Sequence, residues 1–228
     1  KAFKDIFEMM KHSKTINVIT LTLTAVSAFI YFLYGSILLK ATTSLCFVLV
    51  GGVNFCLIRK ASGKAPTHSA LLLCGLIFCF IGDTVINYAF IAGALVFALG
   101  HIFYIIAFCK RKSIAKADFL AALSVFVISA IVVFSVDGIK NDISVLAVCI
   151  VYAAIISLMA GKAAMNFLLC KNTANALFAI GAVLFFVSDA ALLFYMFASA
   201  GKLADTLCLF TYFPAQSILA YAISRSAE

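Results

Sequence analysis

The chain has 228 residues, 65% of them hydrophobic and only 11% charged, with a formal net charge of +8. An ordinary soluble domain is roughly 45–50% apolar and about 25% charged, so a soluble globular fold is excluded. Eight membrane spans of about 20 residues each would occupy about 160 positions, which leaves no room for a separate aqueous domain.

Taken in chain order, residues 1–15 do not read as a signal peptide. Phe3, Ile6, Phe7 and Met10 recur at helical spacing beside Lys4, Lys11 and Lys14. This pattern suits a short amphipathic helix in the membrane interface, or equally a frayed basic tail. The chain starts at Lys1 rather than Met, which suggests trimming. Residues 16–228 read as one transmembrane domain. Apolar runs between polar breaks predict spans at 16–38, 41–58, 69–87, 89–109, 119–136, 143–165, 173–197 and 205–224. Runs of this length are helices, because a membrane strand needs only about 9–11 residues of alternating polarity.

Several polar residues interrupt the spans. Lys40 stands at the start of the second, where its ammonium could meet a lipid phosphate, pair with an acid or simply snorkel to the interface. The third span carries Asp83. In the fourth, His101 and Tyr104 lie one turn apart. The sixth holds Tyr152 and, nearer its far terminus, Lys162, which is expected to snorkel. The seventh carries Asp189, and the last carries Tyr212, Pro214 and Gln216. Lys40, His101, Tyr104, Tyr152, Tyr212 and Gln216 are candidates to contact a polar substrate group, against the plainer reading that they pack or bond between helices.

Charge distribution sets the orientation. Thirteen of the seventeen Lys and Arg fall on one side of the predicted bundle, leaving Lys40, Lys140 and Lys202 on the other and Lys162 within a span. Both N and C termini are therefore expected to be cytoplasmic. The basic charge is a topology signal, and no nucleic-acid partner is implied. Eight cysteines include no CxxC pair, and none of the three histidines stands at ligand spacing from a cysteine. No metal site, disulfide framework or cofactor is predicted.

The segments LCGLIFCFIGD and AIGAVLFFVSD place Gly75 before Asp83 and Gly181 before Asp189 at the same interval. They read as copies in the third and seventh spans of a parallel 4+4 internal repeat. Seven of the nine acidic residues are assigned to loops or tails, and only Asp83 and Asp189 lie inside apolar runs. At about 1.5 Å per residue they sit roughly 21 and 24 Å from the cytoplasmic ends of their helices. A carboxyl group in hydrocarbon costs at least about 2.5–3.5 kcal/mol, so this pair reads as a functional site facing the interior. Two carboxyls facing one cavity do not both ionise easily, which provides a general acid beside a general base.

LLKATTS (38–44), FIGDTVIN (80–87), GHIFYIIAF (100–108), FFVSDAALLF (185–194) and TYFPAQ (211–216) together resemble the YhhN-like lysoplasmalogenase family of multi-pass membrane proteins. The resemblance covers nearly the whole chain. It implies an eight-helix ether hydrolase that cleaves the vinyl ether bond of a lysophospholipid, lysoplasmalogen, giving a fatty aldehyde and glycerophosphocholine or glycerophosphoethanolamine. The family's two motif aspartates map onto Asp83 and Asp189. The host membrane would be a bacterial cytoplasmic membrane or the endoplasmic reticulum, and oligomeric state is left open. A proton-coupled transporter is the main rival, because paired intramembrane acids and parallel repeats also suit transport. An intramembrane aspartyl protease is weaker, since Gly82-Asp83 precedes the second acid and no Tyr-Asp pair exists.

Overall fold

The computed structural model describes the backbone of residues 2–63, 65–198 and 200–225, with side chains from residue 14 onward except Ser62. The described residues form helices and no strands: α1 (Ala2–Tyr34), α2 (Ile37–Ser62), α3 (Thr67–Val85), α4 (Phe90–Arg111), α5 (Lys116–Ser135), the single turn α6 (Asp137–Lys140), α7 (Ile143–Leu169), α8 (Thr173–Phe197) and α9 (Gly201–Ala222), closed by a short 3-10 turn. Eight of them, all but α6, are long and apolar enough to cross a membrane. With an even number of spans both termini lie at one end of the bundle, here called the near end.

The boundaries follow local chemistry. The first span ends earlier than its apolar run, because Gly35 adopts φ 63 and turns the chain, which puts Lys40 within the first turn of α2. Gly63 ends α2 in the same left-handed region, where glycine alone lacks a Cβ penalty. Asp142 caps α7 by accepting from Ser144 N at 2.8 Å and Val145 N at 3.3 Å, and Asn172 caps α8 through Asn175 N at 2.8 Å. Arg59 and Lys60 close α2, and Lys110 and Arg111 close α4, where cations complement the helix dipole. The amphipathic pattern at Phe3, Ile6, Phe7 and Met10 concerns side chains outside the described residues.

Within each half the helices meet in the same way. α1 packs on α2, α2 on α3 and α3 on α4; likewise α5 packs on α7, α7 on α8 and α8 on α9. The halves join through α4 against α7 and α9 against α2. The first helix of each half, α1 or α5, is peripheral and mostly faces outward, whereas α9 is the most enclosed.

Gly75 and Gly181 each permit a close helix contact. A Cβ on Gly75 would run into the Tyr104 ring of α4, and one on Gly181 would meet the Leu219 side chain of α9 at 2.8 Å. Gly52 faces open space.

The near end holds a polar layer. Asn17 and Asn54 exchange amide hydrogen bonds of 2.9 and 2.8 Å between α1 and α2. Arg111 lies over the Phe178 ring and reaches Asn175 at 3.1 Å and His68 at 3.2 Å. Two sequence expectations are corrected here. Lys162 does not snorkel: it is buried and pairs with Asp118 at 2.8 Å, and also donates to Ser113 O. Asp118 is accordingly no loop residue but a buried acid in the first turn of α5, where it also accepts from Ala115 N at 2.7 Å. Asp205 likewise lies on α9.

Because a ring must move at Gly75 and only a flexible side chain at Gly181, Gly75→Ala should lower the thermal stability of the detergent-solubilised protein more than Gly181→Ala. Overpacking of this kind costs about 1–3 kcal/mol. Gly52→Ala should be neutral or mildly stabilising in the same melting series.

Candidate active site

Asp83 lies sixteen positions past Thr67, the first residue of α3, and Asp189 lies sixteen positions past Thr173, the first residue of α8. Both carboxyls are thus about 24 Å along their helices from the near end. The similar depth expected of the two acids is present in the helix registers.

Asp83 is 3% exposed. Its Oδ2 accepts from Ser44 Oγ at 2.5 Å, and its Oδ1 lies 3.5 Å from Lys40 Nζ. Lys40 and Ser44 are four residues apart on α2 and so share a face. From the other side the Tyr212 hydroxyl of α9 interacts with the same carboxyl. A charge taken out of water is tolerated when it is paired and hydrogen-bonded, and Asp83 has both kinds of partner. Asp205 and Tyr31 stand near this group as well: Asp205 interacts with Lys40, and Tyr31 with both acids.

Asp189 is differently equipped. Its Oδ2 accepts from Tyr152 Oη of α7 at 2.6 Å. His101 Nε2 of α4 lies 4.0 Å from the same oxygen, too far for a direct hydrogen bond. His101 is fully buried; neither ring nitrogen has a well-formed hydrogen-bond partner, and its ring stands edge-on to Phe185 with centroids 4.5 Å apart. Only the backbone at Phe97 acts on it loosely. Asp189 is close enough to Asp83 for the two carboxyls to interact.

The two surroundings are built alike. Each aspartate receives a hydroxyl from the second long helix of its own half, Ser44 or Tyr152. Each is also approached by a ring from the fourth helix of the other half, Tyr212 or His101. These two rings occupy the same register, eleven positions past Gly201 in α9 and past Phe90 in α4.

Asp189 opens on a crevice of about 50 Å³ between α4, α5, α7 and α8. The polar groups on its wall are the Asp189 carboxyl, Tyr152 and Ser129; most of the rest is aliphatic or aromatic, including Phe90, Phe97 and Phe186. Asp83 does not line it.

Of the candidate residues, Asp189 and Tyr152 therefore share the crevice, while Lys40 and Tyr212 gather around Asp83. Tyr104 and Gln216 bond to each other, with Tyr104 Oη donating to Gln216 Oε1 at 2.9 Å, and Gln216 reaches Tyr212 at 3.4 Å. They are 0% exposed and lie behind the site rather than on the crevice wall. Ser44, Asp205 and Tyr31 were missed. Ser44 was legible in principle from its i+4 spacing to Lys40, whereas Asp205 and Tyr31 come from α9 and α1 and carry no local signal. Among the described residues there is no cluster of His, Cys, Asp and Glu that could hold a metal ion.

The sequence model described as the YhhN family matches residues 35–223, most of the chain and all but the first helix of the bundle. No curated protein and no solved structure shows significant similarity to the chain.

Lys40→Met should leave the buried Asp83 without its cation, and breaking a buried pair from one side costs about 3–5 kcal/mol. A Lys40→Met/Asp83→Asn double variant should regain much of that loss. Unfolding of the three proteins in detergent checks this, and equal stability of Lys40→Met and the parent would show that the pair carries no weight.

Proposed function

The chain belongs to the YhhN family, and from that premise we propose that it is a lysoplasmalogenase, an ether hydrolase acting on a lysophospholipid within the membrane. The observation that carries this reading is the opening of one partly buried carboxyl, Asp189, onto an otherwise largely apolar crevice.

Vinyl ether hydrolysis begins with proton transfer to the alkene carbon distal to the ether oxygen. The O–H bond of the acid breaks, a C–H bond forms, and the positive charge spreads onto the ether oxygen as an oxocarbenium ion. Asp189 is the acid in this scheme. It faces the crevice, and its hydrogen bond from Tyr152 fixes the carboxyl's rotation. Water then adds to the cationic carbon and returns a proton to the Asp189 carboxylate. The resulting hemiacetal collapses to a fatty aldehyde and glycerophosphocholine or glycerophosphoethanolamine.

Asp83 has a different part. Held by Lys40, Ser44 and Tyr212, it is a positioning and electrostatic residue: a fixed negative centre whose field reaches Asp189 and favours positive charge developing in the crevice. Lys40 is engaged with this acid, so the phosphate-binding role that its interfacial position suggested gives way to that of a counter-ion. Tyr104 and Gln216 support Tyr212 from behind.

The matching helix registers and neighbour pattern support reading the bundle as a parallel 4+4 repeat within one transmembrane domain. The surplus of Lys and Arg at the near end supports placing both termini in the cytoplasm. The two carboxylates and the crevice then belong to the opposite half of the membrane.

In purified protein, mass spectrometry should detect fatty aldehyde from a lysoplasmalogen but not from an ester-linked lysolipid. Asp189→Asn should lower aldehyde release by at least about a thousandfold, as expected when the group that moves the proton is removed, and Tyr152→Phe by about tenfold. Asp83→Asn should also lower it, with KM less affected than kcat. Undiminished release from a folded Asp189→Asn protein would remove the acid role. Vesicle flux coupled to a proton gradient, with the lipid left intact, would instead favour the transporter.

A further inference from the structure

The crevice has a roof. At the end of the bundle away from the termini, the chain leaves α5 through Val136, forms the single turn α6 and re-enters as α7. Gly138 of that turn lies so close to the Phe197 carbonyl that no Cβ would fit between them. Beneath it, Val136 and Ile139 are fully buried, and Phe90 meets Phe197 edge-on with centroids 4.8 Å apart. The floor is closed too, since the near end is filled by the Lys162–Asp118 pair and the Arg111 cluster.

The side is not closed. α4 and α5 follow each other in the chain, joined at the near end, yet make at most a marginal contact with one another. α5 leans on α7 and only brushes α8. Phe90, Ala94 and Phe97 of α4 and Ser129, Val132 and Val133 of α5 thus form facing walls, with Asp189 and Tyr152 at the back. A slot with apolar jambs, a roof and a floor admits what is already dissolved in lipid. A water-soluble molecule would have to cross hydrocarbon to reach it.

We propose that this slot is the doorway of the enzyme: a single-chain phospholipid enters sideways between α4 and α5, chain first, from the leaflet on the side away from the termini. The inference rests on the lysoplasmalogenase reading for the identity of the lipid. It adds the route and the leaflet. The carboxyl of Asp189 lies eight residues, about 12 Å, before the end of α8, which is the depth of the first chain carbons below a headgroup at that interface. A lipid of the other leaflet would present the middle of the bilayer to the acid rather than its ether bond.

The test uses a 1-O-alkyl lysophosphatidylcholine with a diazirine on its chain, which lacks the vinyl ether and is not consumed. Added to the outer leaflet of phosphatidylcholine vesicles, it should label residues 186–193 in those copies whose termini face the lumen, as scored with a terminal tag. Val132→Trp, which fills the slot from α5, should reduce labelling at least tenfold. Ile131→Trp, its outward-facing neighbour at 65% exposure, should leave it unchanged. Should Val132→Trp fail to fold, Val148→Trp closes the same slot from α7. Undiminished labelling in a folded plugged variant, equal labelling from both orientations, or labelling confined to residues of α1 and α9 would overturn the doorway. Aldehyde release in detergent is scored separately. Slot labelling without aldehyde from lysoplasmalogen would retire the hydrolase reading and keep the doorway.

Discussion

Lys40 and Asp83 meet across 3.5 Å near the far end of the bundle, and much of the polar interior is arranged around that contact. Hydrocarbon cannot hydrate a carboxylate, so an acid at this depth must bring its own solvation. Ser44 supplies one hydrogen bond from the same helix face as Lys40, and Tyr212 approaches from across the bundle. Tyr212 is in turn steadied by Gln216, and Gln216 by Tyr104, so the chain of bonds runs from α2 through α3 and α9 to α4. Such a network is worth having only when nearly every member is satisfied. In this one the members lie on different helices, which ties the placement of the charge to the packing of the fold.

Asp189 is the counterexample within the same molecule. It has one strong donor, Tyr152, a histidine held just beyond bonding distance and an open side. Its environment is therefore less complete, and incomplete environments are where a protein can do chemistry. His101 belongs to that incompleteness: a fully buried ring without a well-formed bond is costly to keep, and this one stands beside the single carboxyl that faces the crevice.

Much of this was legible in the sequence because hydrocarbon is a demanding solvent. Eight apolar runs became eight long helices, and two acids inside such runs could not be ignored. The interval from glycine to aspartate carried the equal depth of Asp83 and Asp189. What sequence could not carry was partnership between distant segments. Lys162 and Asp118 looked like an interfacial lysine and a loop acid, and only the packing of α5 on α7 makes them a buried pair. Likewise no spacing indicates that Tyr104 and Gln216, 112 residues apart, bond to one another rather than to a ligand. The crevice was invisible for the same reason, since it is defined by two consecutive helices that make at most a marginal contact.

The immediate surroundings of the two aspartates differ by one ammonium. α2 carries Lys40 in its first turn, while the opening turns of α7, ISVLAVCIVY, hold no basic residue. Helix position, a hydroxyl donor and an approaching ring recur at both aspartates. A single ammonium therefore makes the two acids inequivalent. One carboxyl is held by a counter-charge, and the other stands beside open space.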